Sequence, residues 1–362
     1  MFDAFGPEKI LQVYDPKSMA RGLVVIDNTS LGPGKGGIRI ASSATIEECF
    51  RLARLMTWKN ALAELPFGGA KGFIVCDPKA TSMERKREIV QRFSRDLKPI
   101  CPSQYIAGPD MNMGEQEMRW FADANGSLKS CTGKPAEMGG IPHELGSAGY
   151  GIFHAAAVAC EHNSMEIQDS KIAIEGFGNV GLFSAKFFSE HGATIVAVSD
   201  SSGTVYDKKG LDFKALSEAK KTAGHVAGFG GRKILSTREI LAVNADILVT
   251  AAIPDLISKY DIPKMAFKIV IEGSNIPVSN DVEKSLHKKG VLVIPDFVAN
   301  AGGVISSYVE HIGGTQKDMF KIVEERIRKN TNKVLERTTL STTPREAALG
   351  IAMERVVGKV HF

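Results

Sequence analysis

Cysteine is scarce and unpatterned: Cys49, Cys76, Cys101, Cys131 and Cys160 are scattered through 362 residues with no C-x-x-C pair. That spacing excludes a disulfide scaffold and a zinc ribbon, and the reduced thiols it implies point to the cytoplasm. No apolar run approaches the ~18 residues that span a bilayer, and residues 1–16 lack the apolar segment of a signal peptide. The net charge is only +4, and charged residues make up 24% of the chain, so neither nucleic acid nor a membrane surface is an expected partner. Internal repeats and low-complexity segments are missing too. His143-Glu144 invites a metal reading, but no further ligands stand at metal spacing, and no metal is expected. The length exceeds one ordinary core and fits two domains.

What the chain does carry is lysine in small-residue settings. Lys35 lies in Gly34-Lys35-Gly36-Gly37-Ile38-Arg39, Lys59 in Thr57-Trp58-Lys59-Asn60, and Lys71 in Phe67-Gly68-Gly69-Ala70-Lys71-Gly72. An isolated carboxylate follows in Gly108-Pro109-Asp110-Met111-Asn112. Any one of these lysines alone reads as a solvated surface charge. Lys59, however, ends an apolar helical run, and Lys71 directly precedes Phe73-Ile74-Val75. Glycine beside a lysine leaves the ammonium unshielded and lets a ligand or backbone come close. Three such groups predict a cage for a carboxylate. Clustering or desolvation lowers a lysine pKa and suits it to proton transfer near neutral pH.

In order, residues 22–26 read as a buried strand, and residues 27–34 as a turn-rich loop delivering Lys35. Thr45-Ile46-Glu47-Glu48 is a capping box, the Thr45 hydroxyl and Glu48 carboxylate each serving the other's free amide, and predicts a helix to about Leu62. A strand over 72–76, a helix over 82–97 and a strand over 105–107 complete a first α/β domain, residues 1–140. The glycine-dense stretch 139–151 suits an interdomain hinge.

A second domain, residues 141–300, opens with the strand 171–175 running into Gly176-Phe177-Gly178-Asn179-Val180-Gly181 and then a helix over 182–191. A bare G-x-G-x-x-G is weak. Here it sits between strand and helix, and a second strand, 194–199, ends in Asp200, nineteen residues after Gly181. That is close to the ~20 expected of a ribose-binding acid, and glycines at a helix start cradle pyrophosphate. Further apolar strands, 246–250, 268–272 and 291–294, end in Ala251-Ala252, in Asn275 and in the run to Asn300. Continuous apolar strands alternating with helices predict a parallel sheet covered on both faces, its ligand at the C-terminal strand ends. Residues 302–311 and two long helices, 317–337 and 344–360, finish the chain, the second opened by a capping box with proline, Thr343-Pro344-Arg345-Glu346.

The motifs Leu31 to Arg39, Met56 to Ala61, Pro66 to Gly72, Pro109 to Asn112, Gly176 to Gly181 and Asn300 to Val304 are specific in combination and order. Over almost its whole length the sequence resembles the glutamate/leucine/phenylalanine/valine dehydrogenases. The resemblance implies an N-terminal α/β domain for substrate and oligomerisation, a Rossmann-type doubly wound dinucleotide domain, and C-terminal helices, 301–362, packing back across the cleft to the first domain. It implies reversible oxidative deamination of an L-amino acid to a 2-oxo acid and ammonia, in a homo-oligomer, a hexamer or another even-numbered assembly. Lys71 falls on the catalytic lysine that activates water, and Asp110 on the carboxylate that exchanges protons with the amine. Lys59 falls on the lysine that holds the α-carboxylate. Lys35 and Ser307 fall on the side-chain-carboxylate positions that mark glutamate enzymes, with Gly36 and Val304 beside them. An unpaired ammonium facing an apolar side chain is costly, so glutamate is the expected substrate, with a leucine, valine or phenylalanine type as the alternative. A catalytically silent nucleotide-binding paralogue has no need of the Lys71/Asp110 pair. The cofactor is expected to contact residues 176–181, Asp200, Ser201, Ala251, Ala252, Asn275 and Asn300. Ala148 stands where a threonine beside the nicotinamide is implied, leaving Ser147 to supply that contact. Asp200 favours NAD, since its charge repels a 2′-phosphate, while Ser201, Ser202, Lys208 and Lys209 admit NADP or dual use.

Overall fold

The computed structural model describes residues 2–17, 19–142, 145–230 and 233–358. His143 and Glu144, set aside above as metal ligands, lie outside them. The chain divides into two compact units: Met1–Leu145 with Val304–Met319 and Ile351–Phe362, and Gly146–Gly303 with Phe320–Gly350. Among the described residues no helix is long and apolar enough to cross a membrane.

The first unit is built on strands β1 (Lys9–Asp15), β2 (Ala20–Asn28), β3 (Gly34–Ala41), β4 (Gly68–Val75) and β5 (Tyr105–Gly108), in sheet order β1-β2-β4-β3-β5. β1, β2 and β4 run antiparallel to one another in turn, whereas β3 is parallel to both β4 and β5. Helices α1 (Ile46–Leu62), α2 (Met83–Asp96) and α3 (Glu115–Asn125) cover it. Side chains alternate across a strand, and the two faces show it. Val24, Ile26, Ile38 and Ile74 pack with Val90 and Phe93 of α2 and Phe121 of α3, while Leu23, Val25 and Phe73 pack with Cys49 and Ala53 of α1. One arm of the expected box at α1 forms, the Thr45 hydroxyl accepting from Glu48 N at 3.1 Å, while the Glu48 carboxylate turns instead to Arg39 at 3.5 Å.

Two strands of this sheet were not legible in the sequence. β1 is one, and β3 is the other: Lys35 lies within a strand instead of at the end of a loop. Gly34, Gly36 and Gly37 argue against a strand, because glycine weakens one. They are there because neighbouring backbone comes close, and a Cβ on Gly36 would overlap the Ala70 carbonyl of β4. Gly69 likewise lets β4 lie directly against the α1 backbone at Thr57.

The second unit carries β6 (Lys171–Glu175), β7 (Thr194–Asp200), β8 (Gly203–Tyr206), β9 (Lys233–Leu235), β10 (Ile247–Thr250), β11 (Ile269–Glu272) and β12 (Leu292–Ile294), ordered β12-β11-β10-β6-β7-β8-β9. The five strands from β12 to β7 are parallel, as their apolar runs predict. β8 and β9 correct the all-parallel expectation, since a tight turn after Asp200 returns the chain antiparallel along β7. Helix α4 (Ser147–His162) precedes β6, and α5 (Asn179–Glu190), α6 (Phe213–Ala223), α7 (Asn280–Lys288) and α8 (Asp296–Ala299) come between or after the strands. α4 begins inside the glycine-dense stretch expected to be a hinge. Its Gly149 and Gly151 are packing positions, where a Cβ would press on Ser184 N at 2.6 Å and the Ala299 carbonyl at 3.2 Å.

The chain ends with α9 (Gly302–His311), α10 (Gln316–Glu336) and α11 (Pro344–Val357). The capping box at α11 is formed reciprocally: Glu346 N donates to Thr343 Oγ1 (3.2 Å) and Thr343 N to Glu346 Oε2 (2.9 Å). In its first turn, buried Arg345 donates to three carboxylates, Glu272 Oε2 at 2.5 Å, Glu283 Oε2 at 2.7 Å and Asp296 Oδ1 at 3.1 Å. One guanidinium thus ties α11 to β11, α7 and α8. Burial pushes the Glu272 and Glu283 carboxyls up, the neighbouring carboxylates add to this, and Arg345 opposes it. Arg345→Met would strand those acids without their cation, and the expected loss is about 3 kcal/mol or more. Urea unfolding followed by circular dichroism checks this; an unchanged midpoint would show that the cluster does not depend on its arginine.

Candidate active site

In the first unit, β3, β4 and β5 bring Lys35, Lys71 and Asp110 together. Lys71 of β4 forms an ion pair through Nζ with Asp110 Oδ2, just past the end of β5. Asp110 Oδ1 accepts from Arg39 Nε at 2.9 Å and from Met111 N at 2.7 Å. Burial works to raise the Asp110 pKa, but the charges of Lys71 and Arg39 outweigh it and hold the carboxyl at about 2. Gly37 makes this meeting possible, because a Cβ there would stand 3.0 Å from the Asp110 Cβ.

Lys35 is buried, and its Nζ donates to the Ala107 carbonyl of β5 at 3.0 Å. A methyl group on Gly108 would come within 2.7 Å of that ammonium. Burial pulls the Lys35 pKa down to about 8, with Glu310 opposing and Lys134 and Lys71 adding to the fall. Lys59, in the last turn of α1, is also buried. On α9, Val304 and Ser307 lie one turn apart and are half-buried.

Three groups at this site went unassigned in the sequence. Arg39 closes the same glycine-rich motif as Lys35. Lys134 follows Gly133, the glycine-lysine signature that marked the others, so the signal was present. Its Nζ donates to Glu310 Oε1 at 2.5 Å and to the Cys131 carbonyl at 2.8 Å. Glu310 sits on α9 far along the chain, and only the fold reveals it.

In the second unit, the expected cofactor residues gather at the C-terminal ends of β6, β7, β10, β11 and β12. Gly176 takes the left-handed region (φ 91°), and a Cβ on Gly181 would overlap the Gly176 carbonyl. The turn therefore delivers the chain tightly into α5, whose N-terminus favours an anion. Phe177 and Gly181 are buried, while Gly178 and Asn179 are exposed. Glu175 Oε2 accepts from Ala251 N and Ala252 N, both at 3.1 Å, fixing the end of β10 against β6. Asn300 Nδ2 donates to Gly273 O at 3.1 Å and Asn275 Oδ1 at 3.2 Å, and its buried Oδ1 has no protein partner among the described residues. Ser147 is buried at the start of α4. A tight glycine turn, a helix start and an orphaned amide oxygen fit a dinucleotide.

Asp200 is less available than its position suggests. Oδ1 accepts from Ser202 N (2.9 Å) and Ser202 Oγ (2.5 Å), and Oδ2 from Lys220 Nζ (2.7 Å) and Val226 N (2.8 Å). Its charge is matched by Lys220 of α6, which the sequence separation concealed. Ser201 is exposed beside it.

Two family models match the chain in order. One, described as Glu/Leu/Phe/Val dehydrogenase, dimerisation domain, covers residues 7–126, and the other, Glutamate/Leucine/Phenylalanine/Valine dehydrogenase, covers residues 139–361. A glutamate dehydrogenase of Aeropyrum pernix is 38% identical over 97% of this chain and 90% of its own. An NADP-specific glutamate dehydrogenase of Saccharolobus shibatae is 36% identical over 91% and 82%. Among solved structures, the hetero-hexameric glutamate dehydrogenase of Thermus thermophilus in its Leu-bound form gives a TM-score of 0.89 at 28% identity, covering 98% of this chain and 89% of that one. Matched by both family models and by relatives along nearly its full length, the chain belongs to the glutamate/leucine/phenylalanine/valine dehydrogenase family.

Proposed function

We propose that this protein catalyses the reversible oxidative deamination of L-glutamate to 2-oxoglutarate and ammonia with NAD or NADP. The observation that carries the reading is the Lys71–Asp110 ion pair set beside a buried Lys35. It is supported by the names of the relatives, glutamate dehydrogenase in Aeropyrum and NADP-specific glutamate dehydrogenase in Saccharolobus.

Lys59 holds the substrate α-carboxylate, and Lys35 with Ser307 holds the side-chain carboxylate, with Gly36 and Val304 lining the space between. Fixed positive charge at both ends orients the α-carbon. The bound nicotinamide supplies the hydride acceptor. Asp110 accepts the proton that the amine must lose for the iminium to form. Lys71 then orients the water that attacks the iminium carbon, Asp110 returns its proton to the departing ammonia, and the proton released from the water passes by way of Lys71 to solvent. A carboxyl at about 2 is a poor proton store, so the substrate amine must first separate Asp110 from Lys71; losing that cation raises its affinity for a proton. Arg39 and Met111 N keep Oδ1 occupied, which leaves Oδ2 to exchange the proton.

Residues 176–181, Ala251, Ala252, Asn275, Asn300 and Ser147 hold the cofactor. Asp200 and Ser201 face the adenosine ribose, where Lys220 neutralises Asp200 and offers a 2′-phosphate a cation. The pair therefore supports use of both cofactors over NAD alone. The family match to a dimerisation domain supports a homo-oligomer, and the hexameric assembly named for the Thermus enzyme makes a hexamer the proposed state.

Lys71→Ala and Asp110→Asn are each expected to lower turnover with 2-oxoglutarate by at least ~100-fold, while NADPH binding, read by its fluorescence, stays near that of the parent. Near-parental turnover in either variant sinks the roles given. Lys35 loses its charge as pH rises through about 8. KM for 2-oxoglutarate should therefore climb above that pH, and KM for 2-oxopentanoate, which lacks the distal carboxylate, should not. A panel in which branched-chain or aromatic oxo acids outperform 2-oxoglutarate would reject glutamate as the substrate. Lys220→Ala should reduce kcat/KM for NADPH relative to NADH by about tenfold, and an unchanged ratio removes Lys220 from cofactor choice.

A further inference from the structure

Glu310 has no part in the chemistry above, yet its buried carboxylate is fully engaged. Oε2 accepts from Gly133 N at 2.9 Å and Ile141 N at 3.1 Å, and Oε1 accepts from Lys134 Nζ at 2.5 Å and Lys134 N at 3.4 Å. One side chain of α9 thereby clasps both ends of the segment 133–141. That segment is anchored beside Lys35, since Thr132 N donates at 3.0 Å to the Ala107 carbonyl, the same oxygen that accepts Lys35 Nζ. Bonded contacts thus lead from Lys35 through Ala107, Thr132 and Gly133 to Glu310. Ser307 lies one helical turn before it, on the same face of α9.

Among the described residues, the charged and titratable groups that act most on Lys35 are Lys71 of β4, Cys131 and Lys134 of the segment after α3, and Glu310 and His311 of α9. Glu310 is the carboxylate among them.

We propose that Glu310 is a specificity-determining positioning residue, whose carboxylate fixes Ser307 relative to Lys35 as one receptor for the distal carboxylate of a dicarboxylic substrate. It does not touch the substrate. It acts through geometry, by locking α9 to the strand neighbours of Lys35, and through charge, as the anion that sustains the ammonium in a buried place crowded with other cations. The inference rests on the glutamate reading above.

The test uses the full chain and follows KM against pH for two oxo acids, 2-oxoglutarate and 2-oxopentanoate. Glu310→Gln keeps the shape but removes the charge and turns an amide group towards N–H donors. Its KM for 2-oxoglutarate should rise about tenfold at pH 8. The alkaline climb in that KM should begin at lower pH than in the parent, because Lys35 has lost the influence that opposes its deprotonation. Lys134→Met removes a neighbouring cation and should move the climb to higher pH. Glu310→Asp keeps the charge and should leave the climb near its parental position. None of the three should displace the pH profile for 2-oxopentanoate.

Equal losses on both oxo acids, or a profile for 2-oxoglutarate that moves in neither Glu310→Gln nor Lys134→Met, would overturn the proposal. If Glu310→Gln does not fold, the opposite displacement in Lys134→Met decides alone. A parent enzyme that shows no preference for 2-oxoglutarate over 2-oxopentanoate would instead overturn the glutamate reading, an outcome visible before any variant is made.

Discussion

The contact between Lys71 and Asp110 is the constraint around which the first unit is arranged. Bringing an ammonium and a carboxylate out of water is costly unless the two lie close and their remaining valences are filled. The sheet meets that demand by subtraction. Gly36, Gly37 and Gly108 remove side chains where they would strike the Ala70 carbonyl, the Asp110 Cβ and the Lys35 ammonium respectively. Glycine beside lysine, which in a sequence suggests access for a ligand, here first makes room for the protein's own charged groups. The strands lose conformational stability by it, which is the usual exchange at a site built for chemistry.

The second unit achieves order differently, by pinning the ends of its parallel strands to one another. Glu175 reaches from β6 to the backbone that ends β10. Asp296 Oδ2 accepts from Ile276 N at 2.9 Å beyond β11, and Asn300 bridges to Gly273 and Asn275. Each pin joins two strand ends that the parallel topology sets side by side but that lie far apart in sequence. The resulting ledge is rigid where a nucleotide must lie against backbone.

How much of this could be read from the sequence depends on the range of the forces involved. Thr45 and Thr343 announce their helices because capping is complete within four residues, and the strand, glycine turn and helix around Gly176 form a local unit. The lysines and Asp110 stand out by their odd company of small residues. β3 is concealed because its glycines answer to neighbours on β4 and β5. The partners of Asp200, Lys220 and Val226, are twenty or more residues away. Glu310 meets Lys134 across 176 positions, and no periodicity or motif encodes such a pairing. The chemistry of isolated groups is legible, but the matching of charge with charge appears only in the fold.

Arg345 leads to one more consequence. A single guanidinium facing Glu272, Glu283 and Asp296 leaves the buried cluster with more acids than it can neutralise, and burial raises the affinity of Glu272 and Glu283 for hydrogen ions. The unfolded chain gives up those ions above about pH 4.5, the ordinary glutamate value, whereas the folded unit holds them to higher pH against the opposing pull of Arg345. Folding here is accordingly coupled to proton uptake from solution. This cluster favours the native state fully only below the unfolded value and progressively less as alkalinity increases through the raised one.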